Sequence, residues 1–538
     1  MHTKQWQAVC GFVTDVCESV TGPDRTMRAL FDRITEDKAR PIYGWCENGR
    51  PAWMRRDVFR RSVVSVARKL TEYLPEPHGI VGLHLENGPF WPVFYWAILM
   101  SGHTPLVLDH RRELFSYRSL REFSGVCCIS RDQNYPAVVD PGFLQKSRSE
   151  VDSAFFDQLW TDETVFVAEK PDGALEAVTH DGLSLSEAFR RLRHAYRYDQ
   201  PLFYPPEAGP ARVSLGQPFS DPFGFLCGVI LFPCFGYEVF TADPKGDARS
   251  YLSLTRSLAV THHCLSAEGC GAMAAAVQEQ IERSFPRDAH RFAAWLRGEE
   301  RINDYRTLAR YMALAVKLKN TVFGKKAGCV LCADDGLDGT AALFLHQLGL
   351  FFARGYCPAE LGLVSLELSG DPQMRTKNSV GLLLDGVTGT ITDHGKLALD
   401  GGRHVGRPYS PDVRRAYPSP FVTDRTAAFD PHGRLCLLSE GTAQKRAAEP
   451  ADPETVRRMR ELYALVLNKP VEIIEDDMDF FFALGGDSLS YFLLLQHVEM
   501  QFGIKIKPEE RIYFSTARYA AQTLRPYLQQ KGGMKNNA

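Results

Sequence analysis

The chain has 538 residues, 44% of them hydrophobic and 24% charged. This is ordinary globular composition at a length that implies roughly two to four domains and excludes general disorder. Lys and Arg number 63 against 65 Asp and Glu, a formal charge of −2, so no basic excess points to nucleic acid or to an acidic membrane as partner.

The N-terminal stretch MHTKQWQAVCGFVTDVCESV mixes polar and apolar residues and lacks the pattern of a secretory signal, so a cytoplasmic location is expected. The 13 cysteines are scattered and odd in number, which favours reduced thiols over a disulfide framework. His262-His263 has no metal-ligand spacing, and no metal is expected. The most apolar window, Phe223 to Phe235, is broken by Gly224, Gly228 and Pro233 and is too short to span a bilayer, so it reads as a core segment.

Along residues 1–440, strand-like and helix-like stretches alternate: HGIVGLHL, then PFWPVFYWAILMSG, then TPLVLD, with further strand signals at GYEVFTAD and AGCVLCADDGL. This is the βαβ grammar of an α/β fold, and by itself it specifies no function. Five segments in order carry a resemblance. They are GLHLENGPFWPVFYWAILMSGHTPLVLD, PFSDPFGFLCGVILFPCFGYEVF, the stretch from CADDGLDGTAALF to GYCPAE, GKLALDGGRHVGRPY, and FVTDRTAAFDPHGRLCLLS. Together they resemble the adenylate-forming enzymes, the superfamily of acyl-CoA synthetases and nonribosomal peptide adenylation domains. The resemblance implies their α/β fold and raises the question of ATP-dependent activation of a carboxylic acid.

Against that family's pattern the chain departs four times. Where a Ser/Thr/Gly-rich phosphate loop and its lysine are expected, it reads Val167-Ala168-Glu169-Lys170-Pro171-Asp172-Gly173, then Glu176. Carboxylates repel a triphosphate, and proline removes an N–H donor. Gly355-Tyr356-Cys357-Pro358-Ala359-Glu360 keeps the glutamate that the resemblance associates with magnesium and ATP, but has Ala359 for threonine. Aligning Phe429-Asp430-Pro431-His432-Gly433 with the family's FDxxG puts Arg425 where a carboxylate should take the ribose hydroxyls, and arginine offers no acceptor. Finally, where the family has a mobile C-terminal subdomain with its lysine, the chain reads as a short polar linker, residues 441–452. Asp221, at a position the family uses near the substrate, reads as a loop or cap residue. The ATP site is therefore expected to be degenerate at Glu169, Asp172, Gly173, Glu176, Tyr356, Ala359, Glu360 and Arg425, with no confident catalytic residue.

From Pro453 the pattern changes. PETVRRMRELYALVLN spaces Val456, Met459, Leu462, Tyr463 and Val466 as one helix face behind Asp452 as N-cap. An acidic loop leads to Gly485-Gly486, a tight turn, and Asp487-Ser488 opens a second helix with Tyr491, Leu494, Leu495, Val498 and Phe502 on one face. TARYAAQTLRPYL supplies a last helix, and a small four-helix bundle over 453–528 is expected, with 529–538 as a flexible tail. DFFFALGGDSLS resembles the phosphopantetheine attachment motif of nonribosomal-peptide and polyketide carrier proteins. The resemblance implies 4'-phosphopantetheine on Ser488 within the loop Gly485, Gly486, Asp487 and Leu489. A helix N-terminus suits a phosphodiester, because its unpaired N–H groups and dipole favour negative charge. Glu475, Asp476, Asp477, Asp479 and Asp487 read either as a steering surface for basic partners or as a solvated face.

These readings combine into a nonribosomal-peptide-type component: a disabled adenylation-like platform fused to a carrier. The partners this implies are a phosphopantetheinyl transferase, a trans-acting adenylating ligase, and tailoring or condensing enzymes. A self-loading ATP-dependent ligase and a non-enzymatic ligand- or partner-binding module are the alternatives.

Overall fold

The computed structural model describes the chain except residues 1–2, 75, 77, 121–125, 133–137, 143–152, 171–172, 194–201, 204–209, 301, 303, 334–338, 369–378, 393, 403–404, 409–416, 418, 431–432, 439–451, 477, 479, 481–483, 487, 507–513, 515 and 536–538. Two compact units form: one of residues 1–364, 368–372 and 402–417, the other of 365–367, 373–401 and 418–538. This division differs from the boundary at 440 expected from the sequence, since a small antiparallel sheet groups with the C-terminal residues. The expected linker lies almost wholly outside the described residues.

The strands are β1 (Pro41–Glu47), β2 (Arg50–Arg55), β3 (Ile80–His84), β4 (Thr104–Val107), β5 (Cys127–Ser130), β6 (Val138–Val139) and β7 (Glu163–Glu169). Then come β8 (Leu175–Asp181), β9 (Arg212–Leu215), β10 (Glu238–Thr241), β11 (His262–Cys264), β12 (Cys329–Cys332) and β13 (Phe351–Tyr356). β14 (Ser365–Leu366), β15 (Leu382–Leu383), β16 (Thr388–Ile391), β17 (Lys396–Asp400), β18 (Arg407–Pro408), β19 (Phe421–Phe429) and β20 (Leu435–Leu437) complete them. In the first unit one sheet runs β18-β8-β7-β4-β3-β5-β6, and a second includes β13-β12-β11-β9-β10-β1-β2. Parallel pairing dominates both, with antiparallel strands toward one edge of each. In the second unit β16-β17-β19-β20 form an antiparallel sheet.

The expected β3-helix-β4 unit is present, with helix α1 at Phe90–Met100. From Trp91 to Met100 every residue of α1 is buried, as a helix apolar on all sides must be. The Phe223–Phe235 window is also buried core. It forms a continuous helical stretch whose middle, Leu226–Leu231, is a π-helix, and Phe225 packs edge-on against Phe166 of β7 and Tyr95 of α1. No helix among the described residues is long and apolar enough to cross a membrane.

The C-terminal helices are α2 (Pro453–Leu467), α3 (Ser488–Phe502) and α4 (Ala517–Lys535). A single 3-10 turn at Val471–Ile473 is the fourth helical element among the described residues. The last helix runs past Leu528, where the sequence reading ended the bundle. Met459, Tyr463, Tyr491, Leu494, Val498, Ala520 and Leu524 form its buried core, so both predicted apolar faces meet.

Candidate functional sites

Where a phosphate-wrapping loop was expected, the chain forms a β-hairpin. β7 and β8 pair antiparallel from Glu163↔Asp181 to Glu169↔Leu175. The turn closes on itself, as Lys170 N–H donates to Ala174 O at 2.8 Å and Gly173 N–H to Lys170 O at 2.9 Å, with Gly173 at φ +80°. Those donors are therefore unavailable to a phosphate, which a phosphate loop binds chiefly through free backbone N–H groups. Asp172 lies outside the described residues.

Glu169 and Glu176 are paired with cations, which the sequence did not reveal. Glu169 bonds the Arg112 guanidinium, and Lys170 Nζ lies 3.3 Å from the Glu176 carboxylate. The charge of Glu169 and Glu176 is thus partly countered by cations. Burial, then the carboxylates of Glu176 and Glu360, push the Tyr417 phenol well above its ordinary range. Two predicted positions distant in sequence, Glu176 and Glu360, hence converge on Tyr417, a residue for which no local motif gave a signal. For the hairpin a signal existed: Lys170-Pro171-Asp172-Gly173 between two strand-like runs is turn chemistry.

Tyr356 ends β13 and is buried, and the next residues are held tightly. His180 Nε2 donates to Ala359 O at 2.6 Å, while its Nδ1 lies 3.1 Å from Ser184 Oγ. Burial pushes the His180 imidazole below its ordinary range, so the ring is neutral. The space beside it, lined by Phe166, His180, Phe225, Leu226, Cys357 and Leu363, is about 30 Å³. That holds about one water and no amino acid. Asp221 is a cap, as its type suggested: its carboxylate accepts from Phe223 N at 2.9 Å and Gly224 N at 3.0 Å.

Arg425 stands on β19 in the second unit, exposed. Nearby in that unit Asp430 is fully buried and lies 3.6 Å from Arg434, which also approaches Glu367 at 3.4 Å.

In the C-terminal bundle Asp452 caps α2, accepting from Thr455 N at 3.0 Å. Tyr463 reaches across to donate to Phe514 O at 2.6 Å. The loop before α3 folds over Phe480, whose ring lies edge-on to Tyr463 and Tyr491. Gly485 has φ +71°, and Gly486 N–H donates to Phe480 O at 2.8 Å. A Cβ on Gly486 would sit 2.2 Å from the Phe480 ring and 2.7 Å from its carbonyl oxygen. Both glycines are thus required by the turn that delivers the chain to Ser488, first residue of α3, with Leu489 next to it. Asp487 lies outside the described residues. Asp476 ties the bundle internally, 3.5 Å from Arg460 on α2 and 3.4 Å from Arg518 on α4. Glu475 is exposed.

Residues 457–518 match the family described as phosphopantetheine attachment site. No curated protein matches the chain. Among solved structures, the chain resembles the nonribosomal peptide synthetase FmoA3 in its AMPPNP-bound form, at TM-score 0.55 and 14% identity, with 95% of this chain covering 52% of that one. It thus spans about half that protein's length. The N-terminal subdomain of Klebsiella oxytoca NpsA, in complex with 3-hydroxyanthranilyl-AMSN, gives TM-score 0.53 at 14% identity, over 77% of this chain and 100% of that one. The o-succinylbenzoate CoA synthetase MenE of Bacillus subtilis gives 0.57 at 12% identity, over 76% and 77%. The large region has the fold of adenylate-forming enzymes, and the C-terminal bundle is a carrier domain for 4'-phosphopantetheine.

Proposed function

We propose that the chain carries an amino acid or acyl group as a thioester on a phosphopantetheine arm at Ser488, and that its large region is a docking platform that does not load the arm. The arm would come from a phosphopantetheinyl transferase, the cargo from a separate ATP-dependent ligase, and tailoring or condensing enzymes would act on the tethered group. The closed hairpin at 169–176 carries the reading: the Lys170 and Gly173 N–H groups are bonded within the turn, and Lys170 is held by Glu176. The cavity of about 30 Å³ beside Cys357 supports it, being too small for the acid an adenylating enzyme must hold. At Ser488, the fixed turn of Gly485-Gly486 and the helix N-terminus of α3, whose dipole favours negative charge, suit an attached phosphodiester.

The test is intact-protein mass after co-expression with a transferase. The expected result is one added phosphopantetheine, absent in Ser488→Ala. An unmodified wild-type chain, or modification that survives the substitution, contradicts the assignment of Ser488.

A further inference from the structure

The first sheet has a second feature that neither the hairpin nor the carrier uses. β3 and β5 are parallel neighbours, yet β3 continues to β4 on one side and β5 to β6 on the other. Adjacent strands whose connections diverge leave a crevice at their carboxyl ends, the place where open α/β sheets commonly bind ligands. Such a crevice exists here, about 510 Å³ in volume, between the loops after His84 and Ser130 and residues Trp45, Cys46 and Thr241 of the other sheet. Its size falls in the range of small-molecule sites.

Both loops are pinned beside a charged residue. After β3, Asn87 Nδ2 donates to Gln217 O and its Oδ1 accepts from Phe219 N, each at 2.8 Å, which fixes the backbone one residue beyond Glu86. After β5, Ser130 Oγ accepts from Asp132 N at 3.0 Å, turning the chain sharply with Arg131 at the corner. Ser130 itself is held by His84. The His84 Nε2 donates to the Arg112 carbonyl at 2.8 Å, and its Nδ1 lies 2.9 Å from the Ser130 hydroxyl. His84 is therefore a strut between the Ser130 loop and the Arg112 backbone.

Glu86 and Arg131 are exposed, and neither forms a hydrogen bond or ion pair among the described residues. Glu86 and Arg131 thus line the same crevice on pre-set loops, with His110 and a second carboxylate, Asp132, also in the lining, and Trp45, Phe90, Trp91 and Pro141 give it an apolar wall. A carboxylate takes an ammonium, and a guanidinium takes a carboxylate. We propose that this crevice binds a free zwitterionic α-amino acid with an apolar or aromatic side chain, its ammonium on Glu86 and its carboxylate on Arg131. Pre-set loops reduce the ordering cost of binding. The site shares no residue with the hairpin, though Arg112 touches both: its carbonyl holds His84 and its guanidinium holds Glu169.

The experiment uses the full chain with Ser488→Ala and no ATP, so that arm attachment and loading cannot contribute. L-phenylalanine, L-tryptophan, L-leucine and L-valine are titrated calorimetrically, with phenethylamine and 3-phenylpropionate as probes lacking one charge. At least one amino acid is expected to bind saturably, and each one-charge probe to bind about tenfold or more weaker than L-phenylalanine. Glu86→Gln should weaken L-phenylalanine without affecting 3-phenylpropionate, and Arg131→Gln should weaken it without affecting phenethylamine. Gly88→Trp should fill the crevice and abolish binding, since a Cβ there meets open space. Failure of all four amino acids to bind overturns the proposal, as does binding that is indifferent to both charge substitutions.

Discussion

Lys170 Nζ stands 3.3 Å from the Glu176 carboxylate at the mouth of the hairpin that occupies the phosphate-loop position. This partly exposed pair contributes under about 1 kcal/mol to stability. Its consequence is positional, because the lysine of the segment is engaged by the residue that replaces the family's own. Restoring charge alone should not restore chemistry. Glu176→Lys is predicted to leave the chain without ATP-dependent pyrophosphate exchange, since the Lys170 and Gly173 N–H groups of the turn remain bonded. Exchange appearing in that variant would contradict the closed turn as an obstacle to ATP.

Gly486→Ala should destabilise the carrier domain by about 2 kcal/mol or more, because its Cβ meets the Phe480 ring and carbonyl with no room to move away. Arm attachment should slow in parallel, as the turn no longer presents Ser488. Urea unfolding followed with a transferase time course checks both. A stable variant modified at the wild-type rate contradicts the requirement for glycine.

Asp476 and Glu475 should separate stability from steering. Asp476→Asn removes the partner of Arg460 and Arg518 and should lower carrier stability by about 1 kcal/mol. Glu475→Gln should leave stability unchanged and slow the transferase at low salt only, as a long-range charge effect is screened. Equal transferase rates for wild type and Glu475→Gln at low salt would remove the steering role of that residue.

Stability of the first unit should fall on acidification. Burial pushes the buried His262 ring down to about 4, and burial with the neighbouring His262 and Lys319 charges pushes His263 down to about 3. In the unfolded chain both titrate near 6.5, so the unfolded state gains protons first as pH falls below that value. The stability is complete above 6.5 and is lost toward the folded values, by about 2 kcal/mol per histidine at pH 5. Asp162 acts in the opposite sense: burial raises its carboxyl to about 6, so its protonation favours the folded state between roughly pH 4 and 6. Urea midpoints should therefore drop between pH 6.5 and 5, and more steeply in Asp162→Asn. A flat profile contradicts the neutral histidine pair.

The helices of the carrier were legible because their signals are local. Asp452 before Pro453, the spacing of Val456 to Tyr463, and the double glycine before Ser488 each act within a few residues. The fold of the large region was legible through the order of its landmarks, with β3, α1 and β4 where the apolar runs put them. What the sequence hid was set by tertiary partners. Arg112, Lys170 and Tyr417 come to the candidate site from separate segments, and no spacing rule links Tyr417 to Glu176 or Glu360. Glu169 and Glu176, read as repelling phosphate, are in fact paired, and Asp476, grouped with an acidic surface, ties two helices together.

Loading of the purified holo protein tests the central claim most directly. The arm-bearing chain is incubated with magnesium, ATP and a broad panel of amino and aryl acids, and its intact mass is read with and without a separate adenylating ligase. No acyl adduct is expected with ATP and acid alone, and an adduct on the arm is expected once a cognate ligase is supplied. An acyl adduct formed by the chain on its own, lost in Ser488→Ala, would contradict that claim and make the large region a working ligase.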